Sequence, residues 1–203
     1  MEQIIKAIRC GFTSVMIDAS CRPLEENISI CKEVCRIAHT VNVSVEGELG
    51  TIGSTSQSQS SASSTEIKYT QPEEAARFVE ETGVDTLAVA IGTCHGIYPK
   101  GMTPSLQLEL LKKIKAAVKI PLVLHGGSAN KDEEIAAASR LGINKVNISS
   151  DIKDAFYKTC REILKDPYLR EPGEIYPPCI ESMKKVIRHK FDLLGTSGKA
   201  ILY

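Results

Sequence analysis

The sequence has no tryptophan, and aromatic residues make up only 5% of it. No G-x-G-x-x-G and no G-x-x-x-x-G-K-[ST] occurs, which removes the usual fingerprints of dinucleotide and nucleoside-triphosphate sites. No C-x-x-C pair occurs either, so neither a zinc ribbon nor a thioredoxin-like redox pair is indicated. No apolar stretch approaches the roughly 18–20 residues that span a bilayer. The 25 basic and 25 acidic residues cancel, and no Lys/Arg run stands out. That balance leaves no electrostatic footprint for nucleic acid or for an anionic membrane surface. The N-terminal segment from Met1 to Cys10 reads as a short amphipathic helix, without the apolar centre or cleavage site of a signal peptide. The seven cysteines are an odd number, scattered along helix and strand patterns. Cys31 and Cys35 are i, i+4 neighbours on one helix pattern. The expectation is reduced, mostly buried thiols in a cytoplasmic protein.

What is present is an alternation. Five runs rich in Val, Ile and Leu read as strands: Thr13–Ala19, Asn42–Leu49, Val84–Gly92, Ile120–Gly126 and Ile143–Ser149. Their nearly continuous apolar character is that of strands buried on both faces. Helical stripes separate them. Leu24, Ile28, Cys31, Val34, Cys35 and Ala38 form one, at 3.6 spacing. Thr70, Gln71, Pro72 and Glu73 have the capping-box form and open the next, with Gly83 just past its end. Leu106, Leu110, Ile114 and Ala117 follow. Ile135, Ala138 and Leu141 come next, closed by Gly142. Ile152, Ala155, Phe156, Cys160 and Ile163 continue after a Ser150 cap, and Ile180, Met183, Ile187, Phe191 and Leu194 run to Gly195. Strand, helix, strand, helix at this length means βαβ units and a parallel sheet in one domain spanning 1–203. A (β/α)8 barrel, the TIM-barrel fold, competes with an open doubly wound sheet. The barrel is favoured by where the polar residues fall.

Asp18, Glu48, His95, His125 and Asn147 each sit at or just beyond the C-terminal end of an apolar strand, 22–47 residues apart. One barrel unit averages about 30 residues, so they land on the rim where barrel enzymes keep their chemistry. Two imidazoles and two carboxylates on one rim suggest a divalent metal held by His95, His125, Asp18 and Glu48. One such histidine alone reads as a satisfied strand-end side chain. Two, each followed by glycine (Gly96, Gly126), read as metal ligands. His39 and His189 lie on helix patterns and read as structural or solvated. The turn His125, Gly126, Gly127, Ser128 and the segment Asn147, Ile148, Ser149, Ser150 offer backbone and hydroxyl donors at a helix N-terminus, which suits phosphate.

The segments SVMIDAS, VSVEGELGTIG, LAVAIGTCHGIYP, IPLVLHGGSA and INKVNISSD, in this order, resemble consecutive motifs of the class II, zinc-dependent ketose-bisphosphate aldolases, the fructose- and tagatose-bisphosphate enzymes. The resemblance runs along the whole chain, and GT-x-HG with LHGGS is quite specific to it. It implies a (β/α)8 barrel in which His95 and His125 are two of three zinc-binding histidines. Asp18 and Glu48 match carboxylates near a second metal position. Gly96, Gly126, Gly127, Ser128, Asn147, Ile148, Ser149 and Ser150 match segments that bind dihydroxyacetone phosphate, with a monovalent cation nearby in many members. It also implies reversible cleavage of fructose or tagatose 1,6-bisphosphate to dihydroxyacetone phosphate and glyceraldehyde 3-phosphate, by a homo-oligomer.

Two departures accompany the resemblance. The family places an Asp and its first zinc histidine in a D-H-G-like turn just before the helix that matches Glu2–Arg9, and no such turn occurs in this sequence. The expectation is therefore about five of eight βα units, the C-terminal part of a barrel without its first three, inactive alone. On that reading it binds zinc weakly and associates through open sheet edges at Thr13–Ala19 and Ile143–Ser149. The alternative is a non-catalytic remnant or a split subunit that binds a complementary N-terminal barrel piece. The second departure is the Ser/Gln-rich stretch 51–65, expected as the mobile active-site loop. Its nearest acid is Glu66, the candidate general base.

Overall fold

Short Val/Ile/Leu runs form strands and the 3.6-spaced stripes form the helices that cover them. The computed structural model describes residues 1–51, 53–54, 68–95 and 105–202, with the backbone alone at 53, 54 and 95. In chain order the elements are α1 (Glu2–Arg9), β1 (Ser14–Ile17), α2 (Leu24–Ala38), β2 (Ser44–Leu49), β3 (Gly53–Ser54), α3 (Pro72–Thr82), β4 (Thr86–Val89), β5 (Cys94–His95), α4 (Leu108–Ala117), β6 (Leu122–Leu124), α5 (Asp132–Leu141), β7 (Ile143–Val146), α6 (Ser150–Ile163) and α7 (Pro172–Leu193). One sheet has the order β1-β2-β4-β6-β7, every neighbouring pair parallel, and β3 pairs with β5 apart from it. Spatial order follows chain order without reversal. That is the winding of a (β/α)8 barrel, five of whose units are described, and not that of a doubly wound sheet with a switch point.

The register sorts the two sheet faces. Val45, Leu87, Val89, Leu122 and Leu124 are fully buried and pack with Val34, Phe78, Leu111, Ile114 and Ile135 from the helices. Burying one such side chain contributes about 1.5–3 kcal/mol. Gly47 makes room for this layer: a Cβ there would lie 3.0 Å from the Phe78 ring. On the opposite face the alternation aligns Met16 with Glu46 and Thr86, and Glu48 with Ala88. Val123 pairs with Lys145 there.

Several expectations need correction. Only the inner strands are buried on both faces; Ser14 and Met16 of β1 and Asn144 and Lys145 of β7 are exposed, because among the described residues these two strands have a sheet neighbour on one side only. The edges are thus more polar than expected. No capping box forms at α3, where Pro72 does take the first turn: the Thr70 hydroxyl instead donates to the Leu49 carbonyl and accepts from Ala90 N–H. Thr70 ties the end of β2 to the end of β4. Ser150 is the first residue of α6 and not its cap. The α6 stripe is only half-buried, and in α7 Ile180 and Phe191 are exposed while Cys179 and Lys190 are buried.

No disulfide joins the seven cysteines. Burial pushes the Cys31 thiol up to about 12 and Cys35 up to about 11, so both stay protonated. Among the described residues no helix is long and apolar enough to cross a membrane.

Candidate functional site

At the C-terminal ends of the strands lies an open pocket of about 580 Å³. Asp18, Glu48, His125, Gly126, Ser128, Asn147, Ile148, Ser149 and Ser150 line it, together with Met16. Nine residues singled out from the sequence therefore share one cavity. Gly127 is not among the lining residues and packs against the end of β7, where a Cβ would come within 2.6 Å of Val146. His95 pairs with Ser54 through the β3–β5 register, and its side chain lies outside the described atoms. Gly96, Glu66 and most of the 51–65 stretch lie outside the described residues.

His125 is the centre of the polar arrangement. It follows β6 directly, and Thr93 Oγ1 donates to its carbonyl at 2.7 Å. The ring is buried between two buried carboxylates of β2: Nε2 is 2.9 Å from Glu46 Oε1 and Nδ1 is 3.0 Å from Glu48 Oε2. Burial alone would push the imidazole down, but hydrogen bonds to Glu46 and Glu48 outweigh it and carry its pKa up to about 9. Lys145 of β7 donates to Glu46 Oε2 at 2.7 Å. Burial would raise Glu46, yet the bonds from His125 and Lys145 hold it below the usual carboxylate range. Asp18 is exposed and accepts from the Ser20 N–H and hydroxyl at 3.0 and 2.6 Å.

Glu46 and Lys145 were missed because both stand inside strands, not at strand ends. The signal was in the sequence: Glu46 and Glu48 are two apart in a strand, hence on one face, where a single ring can reach both.

The glycine- and hydroxyl-bearing side of the pocket is the turn after β6. Gly126 has φ +64, and a Cβ there would stand 2.6 Å from the Cys94 carbonyl, so only glycine lets the two backbones touch. Ser128 Oγ accepts from the N–H groups of Ser149 and Asp151, both at 3.3 Å, and so caps α6 from a distant loop. Asp151 returns a bond by accepting Ala129 N–H at 2.9 Å, which holds Ala129 at φ +57. Asn130 Nδ2 donates to the carbonyls of Gly126 and Ser128 and closes the turn. Turn and helix start are one hydrogen-bonded unit.

Among the described residues no three His, Cys, Asp or Glu converge as a metal-ligand set. The donor chemistry nevertheless fits a borderline ion. His125 presents Nδ1 toward Glu48 on the pocket side while its other nitrogen is held by a carboxylate, the arrangement that metal-binding histidines take.

The family model for class II fructose-bisphosphate aldolases matches residues 1–199. A fructose-bisphosphate aldolase of Geobacillus stearothermophilus is 42% identical over 200 residues, covering 98% of this chain and 68% of that protein. A 6-phospho-5-dehydro-2-deoxy-D-gluconate aldolase of Bacillus licheniformis is 40% identical over 201 residues, covering 98% and 67%. Among solved structures, the YdjI aldolase from Escherichia coli K12 superposes with a TM-score of 0.82 at 38% identity, over 98% of this chain and 67% of that one. The chain spans about two thirds of the length of each of these relatives.

Proposed function

The chain belongs to the class II fructose-bisphosphate aldolase family, an aldehyde-lyase family, and on that premise we propose that the rim pocket serves zinc-dependent, reversible cleavage of a ketose bisphosphate. The substrate would be fructose or tagatose 1,6-bisphosphate, the products dihydroxyacetone phosphate and glyceraldehyde 3-phosphate, and the setting the cytoplasm. One observation carries the reading: side chains from the ends of β1, β2, β6 and β7 line a single pocket with a hydroxyl- and glycine-rich turn on one side and the His125–Glu48 pair on the other.

His125 and His95 would hold the zinc, with Asp18 and Glu48 at a second metal position and a monovalent cation nearby. Zinc, when bound, supplies Lewis-acid polarisation of the ketone carbonyl beside the bond that breaks. The chain's own residues bind and orient. Gly96, Gly126, Gly127 and Ser128 would hold the phosphate with Asn147, Ile148, Ser149 and Ser150, fixing the ketone relative to His125. Glu66, next to the 51–65 stretch, is the proposed acid–base group. The chain by itself would bind the three-carbon phosphate and turn over poorly; full activity would belong to a full-length homo-oligomer or to the chain beside a complementary N-terminal barrel piece. The second reading, a binding subunit, is favoured by β1 and β7: each has a partner on one side only among the described residues.

The test has two measurements. Calorimetry with dihydroxyacetone phosphate on the zinc-loaded chain should give saturable binding that Ser128→Ala weakens and inorganic phosphate competes away. No binding would end the aldolase reading of this pocket. A coupled cleavage assay on both bisphosphates, and on the deoxygluconate phosphate in one relative's name, should give turnover below about 1 per second. A rate above that would refute the inactivity of the chain. Co-expression with an N-terminal barrel piece should raise zinc binding and turnover together; a rise in solubility alone would favour the binding subunit.

A further inference from the structure

Two carboxylates grip one imidazole, but only one of them faces the pocket. Glu48 lines the cavity, and Glu46 does not. Glu46 is instead tied down two residues earlier in β2, on the same sheet face. Its Oε2 accepts from Lys145 Nζ at 2.7 Å, with Thr86 Oγ1 at 3.5 Å, and its Oε1 faces His125 Nε2 at 2.9 Å. The partners come from β7, from β4 and from the end of β6, so the carboxylate bolts three neighbouring strands to one ring. The register makes this possible: Glu46 pairs with Thr86, and Val123, two residues before His125, pairs with Lys145.

We propose that Glu46 is the positioning residue of the site: by accepting the Nε2 proton of His125 it fixes which ring nitrogen is turned to the pocket. A carboxylate with one oxygen committed to a lysine and the other to Nε2 has no reason to leave. The nitrogen left for a pocket ligand is then Nδ1, which already points at Glu48. Lys145 acts one step further out, by holding the carboxylate and balancing its charge. The inference deepens the metal reading above and rests on it in one respect, that His125 offers a nitrogen to zinc.

The test uses the full chain, zinc itself as the probe, and the ring nitrogens of His125 as the readout. Zinc affinity is measured by competition with a chelating dye, and the ring by ¹⁵N NMR with and without the metal. In the wild-type chain Nε2 should keep its proton on zinc addition while Nδ1 takes the metal. Glu46→Gln should weaken zinc binding roughly 10–100-fold, the range seen when such outer partners are changed. Lys145→Met should weaken it less. Glu46→Ala should let both ring nitrogens share the metal, a change that loss of stability alone does not produce. If Glu46→Ala fails to fold, Glu46→Gln keeps the side-chain shape and decides by affinity. Affinity within twofold of wild type in Glu46→Gln, with Nε2 still the protonated nitrogen in the variants, overturns the proposal. If the wild-type chain binds zinc no better than His125→Ala, the metal reading fails instead. The metal-free spectra then decide positioning: a hydrogen-bonded Nε2–H signal lost in Glu46→Ala supports it, and one that persists refutes it.

Discussion

Phe78, Leu87, Ile91 and Leu124 vanish into the layer between sheet and helices, whereas α6 has no buried residue and α7 buries only Cys179 and Lys190. The sheet is held by apolar area. The α6–α7 hairpin combines half-buried apolar contacts, among them the Phe156 and Tyr176 rings 6.2 Å apart, with directional polar ones: Thr159 donates to Ser182 at 2.8 Å and Lys190 reaches Asp151 at 3.4 Å, while His189 Nε2 at 2.6 Å and Lys190 at 3.2 Å tie α7 to Asp132 of α5. Apolar burial is non-directional and pools over many neighbours, while a few polar contacts fail one at a time. The pocket straddles the two regimes. Its histidine and carboxylates grow out of the sheet, and its hydroxyl turn is locked to the start of α6.

The largest expected effect probes the sheet side. Phe78→Ala should cost about 3–5 kcal/mol in urea unfolding, because a fully buried ring leaves a cavity over Gly47 that cannot collapse. A loss below 1 kcal/mol, on the order of a surface change, would break the contrast at its strong end.

Lys190→Met comes next and tests the bolt between the regions. Two carboxylates lose their shared cation, at a cost of about 1–3 kcal/mol. Hydrogen exchange should quicken in α6 and α7 and stay unchanged in β4; equal quickening in both would erase the distinction.

Acidity sharpens the comparison further. Burial would raise Asp132, but His189 and Lys190 outweigh it and hold its carboxyl below the usual range. Glu46 is depressed as well. A depressed carboxyl stabilises above its ordinary pKa, and that contribution is lost as pH falls through the folded-state value, so both regions weaken in acid. His125 has the opposite sign. Its pKa rises from 6.5 to about 9, so its contribution is complete below 6.5 and is lost as pH climbs through 9. In metal-free chain, melting followed by circular dichroism should show a loss of stability across that alkaline window. His125→Gln should abolish it, and Asp132→Asn should not. A slope that survives in His125→Gln would place the titration elsewhere.

The smallest effect belongs to Phe191→Ala. The ring is 53% exposed, and its loss should stay within about 0.5 kcal/mol in the same urea assay that reads Phe78→Ala. A loss above about 1 kcal/mol would mean that the hairpin has an apolar seat after all.

The strands were legible because uninterrupted Val/Ile/Leu runs have few other uses, although the paired segments are shorter than the runs: Thr13–Ala19 contains β1 at Ser14–Ile17. Asp18, Glu48, His125 and the two turns were legible because a polar residue closing an apolar strand must face the rim. Glu46 and Lys145 were not, since a charged residue inside a strand becomes intelligible only when the register brings its partner beside it. Thr70 and Ser128 show the same limit. A hydroxyl near a helix start suggests a local cap, yet one of them bridges strands and the other caps a helix 21 residues away. Phe191 and Ile180 sit on a sound helical stripe, but periodicity names a face and not what lies against it.

The borrowed cap of α6 also bears on the order of assembly. Neither Ser149 nor Ser150 makes a side-chain cap bond, and the hydroxyl that serves the amides of Ser149 and Asp151 arrives from Ser128, across a segment that contains α5 and β7. Closing that loop costs entropy before any helix bond rewards it. A peptide carrying α6 alone should therefore be poorly helical, and in the refolding chain this helix should nucleate only after the turn beyond β6 has docked. Its φ-values should then be near zero, with those of β4 and β6 well above them.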